Sequence, residues 1–301
     1  MKPKKKLKQR SLRYRMVQIA LVGTVFALVA TFLMTLIGRS RDNGLDLENV
    51  HLIQLEMPAD SAPVAVFETT AGNFQAVLYP EQAPDYVDYF TGLVNSGYYD
   101  NTYVYAVEQS VYFLGGAKSA DGSETGDTDT KTYEPEKSAD LWTLPGALCA
   151  YGESKGFFNR RNLAGSRVLF VNSVEFTDDF KNELQAVDGN PTIINAFIEH
   201  GGVPNFAQQY TVFGQVIGGM DAYIAIASAG GDDSETKSPA HEIKFNRVYM
   251  TTYGAVKATL TNPPAVLNLP SDDSAAQTTP ASTTPTTPTS VPTPAAVTTT
   301  Q

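Results

Sequence analysis

Residues 210–221 read YTVFGQVIGGMD, and the order of elements inside this stretch decides the fold. Residues 211–216 read as a short strand, and an amphipathic helix opens near Met220-Asp221. Toward the N-terminus, residues 62–82 (APVAVFETTAGNFQAVLYPEQ) place apolar residues at every second position, at Val64 and Val66, and again at Phe74, Ala76 and Leu78. Ala71-Gly72-Asn73 lies between the two runs, the pattern of a hairpin. Ala83-Pro84-Asp85 starts a helix with proline near its first position. Val87, Phe90, Leu93 and Val94 share one face of it, and Asn95-Ser96-Gly97 stops it. Short strands follow at 102–107, at 111–114 ending in Gly115-Gly116, and at 168–171, with a last one at 242–250. Many short strands and two helices predict a mostly β protein: a closed antiparallel barrel with helical caps.

The two ends of the chain are of another kind. Residues 1–41 carry ten Lys/Arg and no acid, so of the 22 basic residues only 12 remain in residues 42–301, against all 32 acidic ones. A body of net charge −20 repels phosphate backbones, so no nucleic-acid partner is expected. Residues 16–38 are uncharged and long enough to cross the roughly 30 Å hydrocarbon layer. Eight cations precede the run and only Arg39 and Arg41 follow it closely. The positive-inside rule therefore predicts a single-pass anchor in the cell membrane, with residues 1–15 cytoplasmic and the rest extracytoplasmic. Residues 39–61 read as a linker and 254–301 as a disordered Thr/Pro/Ser-rich tail, which cannot bury enough apolar area to offset its ordering entropy. One cysteine, Cys149, rules out an internal disulfide framework, and three scattered histidines offer no HExxH pair.

The ordered series ETTAGNFQAVLYPEQAP, YFTGLVNSGYYDNT, Gly115-Gly116, Gly165-Ser166 and YTVFGQVIGGMD resembles the cyclophilin family of peptidyl-prolyl isomerases. The resemblance runs over residues 62–253. It implies an eight-stranded antiparallel barrel capped by two α-helices, and a shallow outer groove for proline-containing segments. No cofactor and no metal are implied. The groove positions carried over are Tyr105, Ala106, Val111, Tyr112, Leu114, Tyr151, Arg167, Leu169, Asn205, Phe206 and Tyr210.

Several of these depart from the family pattern. Where the family resembles YDGTTFHRV, this chain has Tyr99-Asp100-Asn101-Thr102-Tyr103-Val104-Tyr105-Ala106-Val107, so Ala106 stands at the arginine. Leu114 stands at the glutamine that braces that arginine, Arg167 at a groove glutamine, Asn205 at a Trp or His, and Tyr210 at a frequent His. An X-Pro bond rotates over a barrier of about 18–20 kcal/mol. A guanidinium lowers it by bonding to the proline nitrogen only once that nitrogen has become basic, which is transition-state binding. Arg167, on its long arm, is the candidate substitute donor at the catalytic position.

Two functions follow. One is a peptidyl-prolyl isomerase acting on exported proteins, with activity reduced or lost through Ala106 and Leu114. The alternative is a non-catalytic module that binds proline-containing segments or a surface partner. Other features read more plainly. Residues 121–129 form a solvated acidic loop without the glutamate a calcium loop needs. Residues 156–161 form a surface insertion, and 192–200 a helix docked on the barrel. Cys149 is an inert core thiol.

Overall fold

The computed structural model describes residues 45–123, 132–152, 154–155, 161–174, 176–187, 189–231 and 237–261. The apolar run 16–38, most of the acidic loop 121–129, the aromatic–cationic insertion at 156–160 and the tail from 262 onward lie outside them. Among the described residues no helix is long and apolar enough to cross a membrane.

In chain order the elements are β1 (Pro63–Thr69), β2 (Gly72–Leu78), α1 (Pro84–Asn95), β3 (Thr102–Glu108), β4 (Tyr112–Ala117), β5 (Ala147–Ala150), a two-residue hairpin β6 (Ser154–Lys155) and β7 (Arg161–Asn162), β8 (Val168–Val171), α2 (Asp178–Gln185), α3 (Pro191–His200), β9 (Val212–Gly218), α4 (Met220–Ala227) and β10 (Ile243–Thr252). Eight strands close into an antiparallel barrel in the order β1-β10-β3-β4-β8-β5-β9-β2. Closure leaves no free sheet edge, and side chains alternate between interior and exterior.

The interior is aromatic. Phe67 stacks on Phe74 with centroids 4.6 Å apart, and Phe113 on Phe170 at 4.5 Å. Phe170 meets Phe67 and Phe245 edge-on at 5.6 and 5.8 Å. Gly115 makes this fit possible, since a Cβ there would lie 2.6 Å from the Phe245 ring. Helix α1 closes over the core with Tyr86 and Phe90 against Phe213, at 4.8 and 5.1 Å. Helix α4 does so with Tyr223, 5.1 Å from Phe113. No residue of its own caps α1; Glu136 reaches across to accept from the backbone N–H groups of Asp85 and Tyr86 at 3.1 and 2.9 Å. A carboxylate at a helix N-terminus satisfies donors the helix itself leaves unpaired.

Three expectations change in detail. The hairpin pairs Val64 with Val77 and Ala65 with Ala76, which puts Val64, Val66 and Val77 on the outer face under Ile217 and Tyr253. Ala65, Phe67, Phe74, Ala76 and Leu78 line the interior instead. Because both faces are covered, period two alone does not say which one is the core. Helix α2 was not expected; Thr177 caps it by accepting from the Phe180 N–H, ahead of Asp178 and Asp179. Helix α3 buries Ile193, Ala196 and Phe197 against Leu52, Trp142 and Leu144, so it docks through a loop layer rather than on the strands.

That layer includes part of the segment read as linker. Leu52 and Gln54 are buried, and Gln54 sits in a polar network. Its amide donates to Gln215 Oε1 at 2.8 Å and its oxygen accepts from the Trp142 N–H at 2.6 Å, while Gln215 donates to the Pro145 carbonyl at 2.7 Å. At the other end the chain packs beyond residue 253, with Val256 and Leu260 on the outer cluster around Val64.

Candidate functional site

Strand β3 carries a bulge. Val104 pairs with Gly115 and Ala106 with Leu114, leaving Tyr105 as the extra residue. A bulge turns two successive side chains toward one face, and Tyr105 and Ala106 both join the outer cluster. From Ala106 a row then crosses the barrel wall through cross-strand pairs: Ala106 to Leu114, Leu114 to Leu169, Leu169 to Cys149, and Cys149 to Val212. All five are buried and none is charged. This row is the floor of the candidate site, on the outer wall of the barrel.

Aromatic rings stand beside the floor. Tyr112 meets Phe206 at 5.7 Å, Phe206 meets Tyr210 edge-on at 5.7 Å, and Tyr210 stacks on Tyr151 at 6.1 Å. The segment that brings in Phe206 and Tyr210 is pinned from beneath. Val203 N–H donates to the Thr143 carbonyl at 3.0 Å, Thr143 Oγ1 donates to the Val203 carbonyl at 2.7 Å, and Gln208 donates to the Ser138 carbonyl at 3.0 Å. Burial, with Tyr151, Cys149 and Tyr112 nearby, pushes the Tyr210 phenol up to about 12. Burial also pushes the Cys149 thiol well above its ordinary value. Neither group ionises near neutrality, so the site offers no general base at these positions.

Cations stand at the rim. The Arg167 guanidinium lies over the Tyr105 ring at 4.9 Å and donates to the Gly122 carbonyl. Lys237 forms an ion pair with Glu108 at 2.6 Å and donates to the Tyr112 hydroxyl at 3.3 Å. The Glu108 bond is the main reason the Lys237 ammonium is held above its ordinary range. Glu108 pairs across the ladder with Tyr112, one same-face step from the Ala106–Leu114 pair, or roughly 7 Å along the strands.

Of the positions named from the sequence, Tyr105, Ala106, Leu114 and Leu169 are buried in the outer cluster, and Val111, Tyr112, Tyr151, Phe206 and Tyr210 pack against it. Arg167 joins them through Tyr105. Asn205 adjoins Phe206; its side-chain oxygen is buried with no partner among the described residues, while its backbone carbonyl accepts from Gln209. Sequence reasoning missed Glu108 and Lys237. Lys237 is 125 residues from Tyr112, and no local pattern connects them. It also missed that Cys149 belongs to the floor and not to the barrel interior. The strand was legible, but which of its faces turns outward was not. Among the described residues no group of three or more His, Cys, Asp or Glu is placed to hold a metal ion. The arrangement can take an uncharged, kinked apolar segment on its floor, flank it with rings, and offer hydrogen-bond donors at the rim.

Residues 64–250 match the family described as cyclophilin type peptidyl-prolyl cis-trans isomerase/CLD. A protein of Staphylococcus haemolyticus, named a candidate peptidyl-prolyl cis-trans isomerase, is 28% identical over 206 residues, covering 67% of this chain and 98% of the relative. A protein of Streptococcus pyogenes, named a candidate bifunctional phosphatase/peptidyl-prolyl cis-trans isomerase, is 26% identical over 200 residues. There the match covers 66% of this chain and only 41% of the longer relative. Among solved structures, a cyclophilin type isomerase of Cryptosporidium parvum, crystallised in the presence of the dipeptide Ala-Pro, is 18% identical with a TM-score of 0.48; the match covers 63% of this chain and 99% of that one.

Proposed function

This chain belongs to the cyclophilin-type peptidyl-prolyl cis-trans isomerase family, and from that premise we propose that its outer groove binds X-Pro segments and turns them over slowly. The observation that carries this is the unbroken apolar row Ala106–Leu114–Leu169 beneath Tyr112 and Phe206. A proline ring seated there leaves water, and desolvating the imide favours the twisted state in which its resonance is lost. The floor supplies no donor to the proline nitrogen, and removing one preorganised donor typically lowers a rate by about 10²–10³. The basic-then-apolar order of residues 2–38 supports an anchored protein facing outward, with exported chains as its clients. Their uncatalysed prolyl steps take roughly 10–100 s.

Restoring the family pattern tests this reading. The full chain carrying Ala106→Arg and Leu114→Gln is expected to accelerate isomerisation of an Ala-Pro peptide by at least about tenfold over the wild type, with binding of the peptide little changed. An unchanged rate would sink it. The second reading, a proline-binding module without turnover, is favoured by the same Ala106–Leu114 pair. It is what remains if the wild type binds the peptide but leaves the exchange rate at its uncatalysed value. Protease treatment of intact cells checks the orientation, since complete protection of residues 45–261 is incompatible with it.

A further inference from the structure

We propose that the Tyr112 hydroxyl is the hydrogen-bond donor that serves in place of the missing guanidinium, with Lys237 as its positioning residue. This deepens the reading above and rests on X-Pro segments occupying the groove.

The argument starts from hydrogen-bond inventory. An ammonium group only donates, so at the 3.3 Å contact Lys237 donates a hydrogen bond to Tyr112 and the phenol oxygen accepts. The Tyr112 O–H is then left to donate elsewhere, beyond the contact with Lys237. A phenol whose oxygen already accepts from a cation is a stronger donor, because bonds in a chain polarise one another. Glu108, 2.6 Å from the same ammonium, balances its charge. The cluster Glu108–Lys237–Tyr112 therefore presents a polarised O–H without presenting net charge to an uncharged peptide.

Its position fits the task. Tyr112 and Leu114 lie on the same face of β4, and Tyr112 packs on the cluster that holds Ala106 and Leu169. The ring touches Phe206, so a proline seated on the floor alongside the pair has the phenol beside it. A planar imide nitrogen has its lone pair tied up in resonance; the twisted one has it free to accept. A donor at this place therefore binds the transition state and not the ground state, which is the property that raises a rate. Arg167 is the rival, but its guanidinium is already engaged by the Tyr105 ring and the Gly122 carbonyl.

The test uses the full chain and an uncharged peptide with one Ala-Pro bond, with exchange rates and chemical-shift perturbations read by NMR. Tyr112→Phe keeps the ring against Phe206 and is expected to lower kcat about tenfold or more while KM stays within about twofold. Lys237→Met is expected to lower kcat by a smaller factor, and Lys237→Arg to restore most of it, which a merely structural role would not do. In the Ala106→Arg, Leu114→Gln background the Tyr112→Phe loss is expected to shrink, because two donors for one lone pair are not additive. The proposal is overturned if wild type and Tyr112→Phe isomerise equally, if the wild type binds the peptide without accelerating it, or if the loss follows Arg167→Ala instead. In each of these cases peptide shifts along the Ala106–Leu114–Leu169 row leave binding in the groove standing, and a wild type without acceleration leaves binding alone. Absence of any shift there overturns both.

Discussion

Strand β8 sends Val168 and Phe170 into the barrel and Leu169 and Val171 onto its outer wall, and its neighbours do the same. Strand β5 divides Leu148 and Ala150 from Ala147 and Cys149, and β4 divides Phe113 from Tyr112 and Leu114. The two faces are equally apolar and differ in what covers them. The inner one is sealed by α1 and α4 and filled with rings that contact rings. The outer one has an aliphatic floor, with rings only along its side and polar groups at its rim. A face filled by its own rings stabilises the fold; the aliphatic face flanked by rings and polar groups is the one on which the proposed function seats a ligand.

The comparison can be broken hardest from within. Phe170 touches Phe67, Phe74, Phe113 and Phe245, so Phe170→Ala is expected to lower stability by about 3–5 kcal/mol in denaturant titration. A loss under about 1 kcal/mol would mean the inner face is not the tighter of the two. Next in size is the polar network behind the groove. Gln54→Ala leaves the Trp142 N–H and Gln215 Oε1 without this partner and is expected to cost about 1–3 kcal/mol.

Cys149 sharpens the comparison kinetically. As the one thiol of the chain, buried in the floor, it is expected to react with a thiol reagent only as fast as the domain opens. Phe170→Ala should therefore speed labelling, and rapid labelling of the wild type would show that the floor opens on its own. The smallest effect concerns pH. Tyr210 holds its proton up to about 12, against an ordinary 10.0, so the folded state binds that proton more tightly than the unfolded chain. Its contribution to stability is intact below pH 10 and is lost as pH rises toward about 12. Tyr210→Phe should remove that part of the alkaline decline, and identical declines in the two proteins would contradict the burial that raises this phenol.

Much of this is legible in the sequence. The sequence pattern of strand 168–171 matches its observed bounds, and that of α1 matches from Pro84 to the Asn95-Ser96-Gly97 stop, because proline, an apolar face and a glycine at positive φ act locally. That most of the positions carried over from the resemblance gather on one outer cluster follows from ordered motifs, which fix positions along a barrel wall. The phase of the Val64–Val66 alternation was not, since a strand covered on both sides gives the same pattern either way. Helix α2 carries a usable local sign, Thr177 followed by two aspartates. Lys237 left none.

The sequence alone determined the closed barrel and the absence of arginine and glutamine at Ala106 and Leu114, because both depend on residue identity and order. Only the tertiary structure decided what surrounds those two side chains. Folding set Lys237 and Glu108 against Tyr112, laid Arg167 over Tyr105 and turned Cys149 outward. These are relations between residues far apart in the chain, fixed by strand register and by a bulge of one residue, and such contacts have no local signature in the order of amino acids.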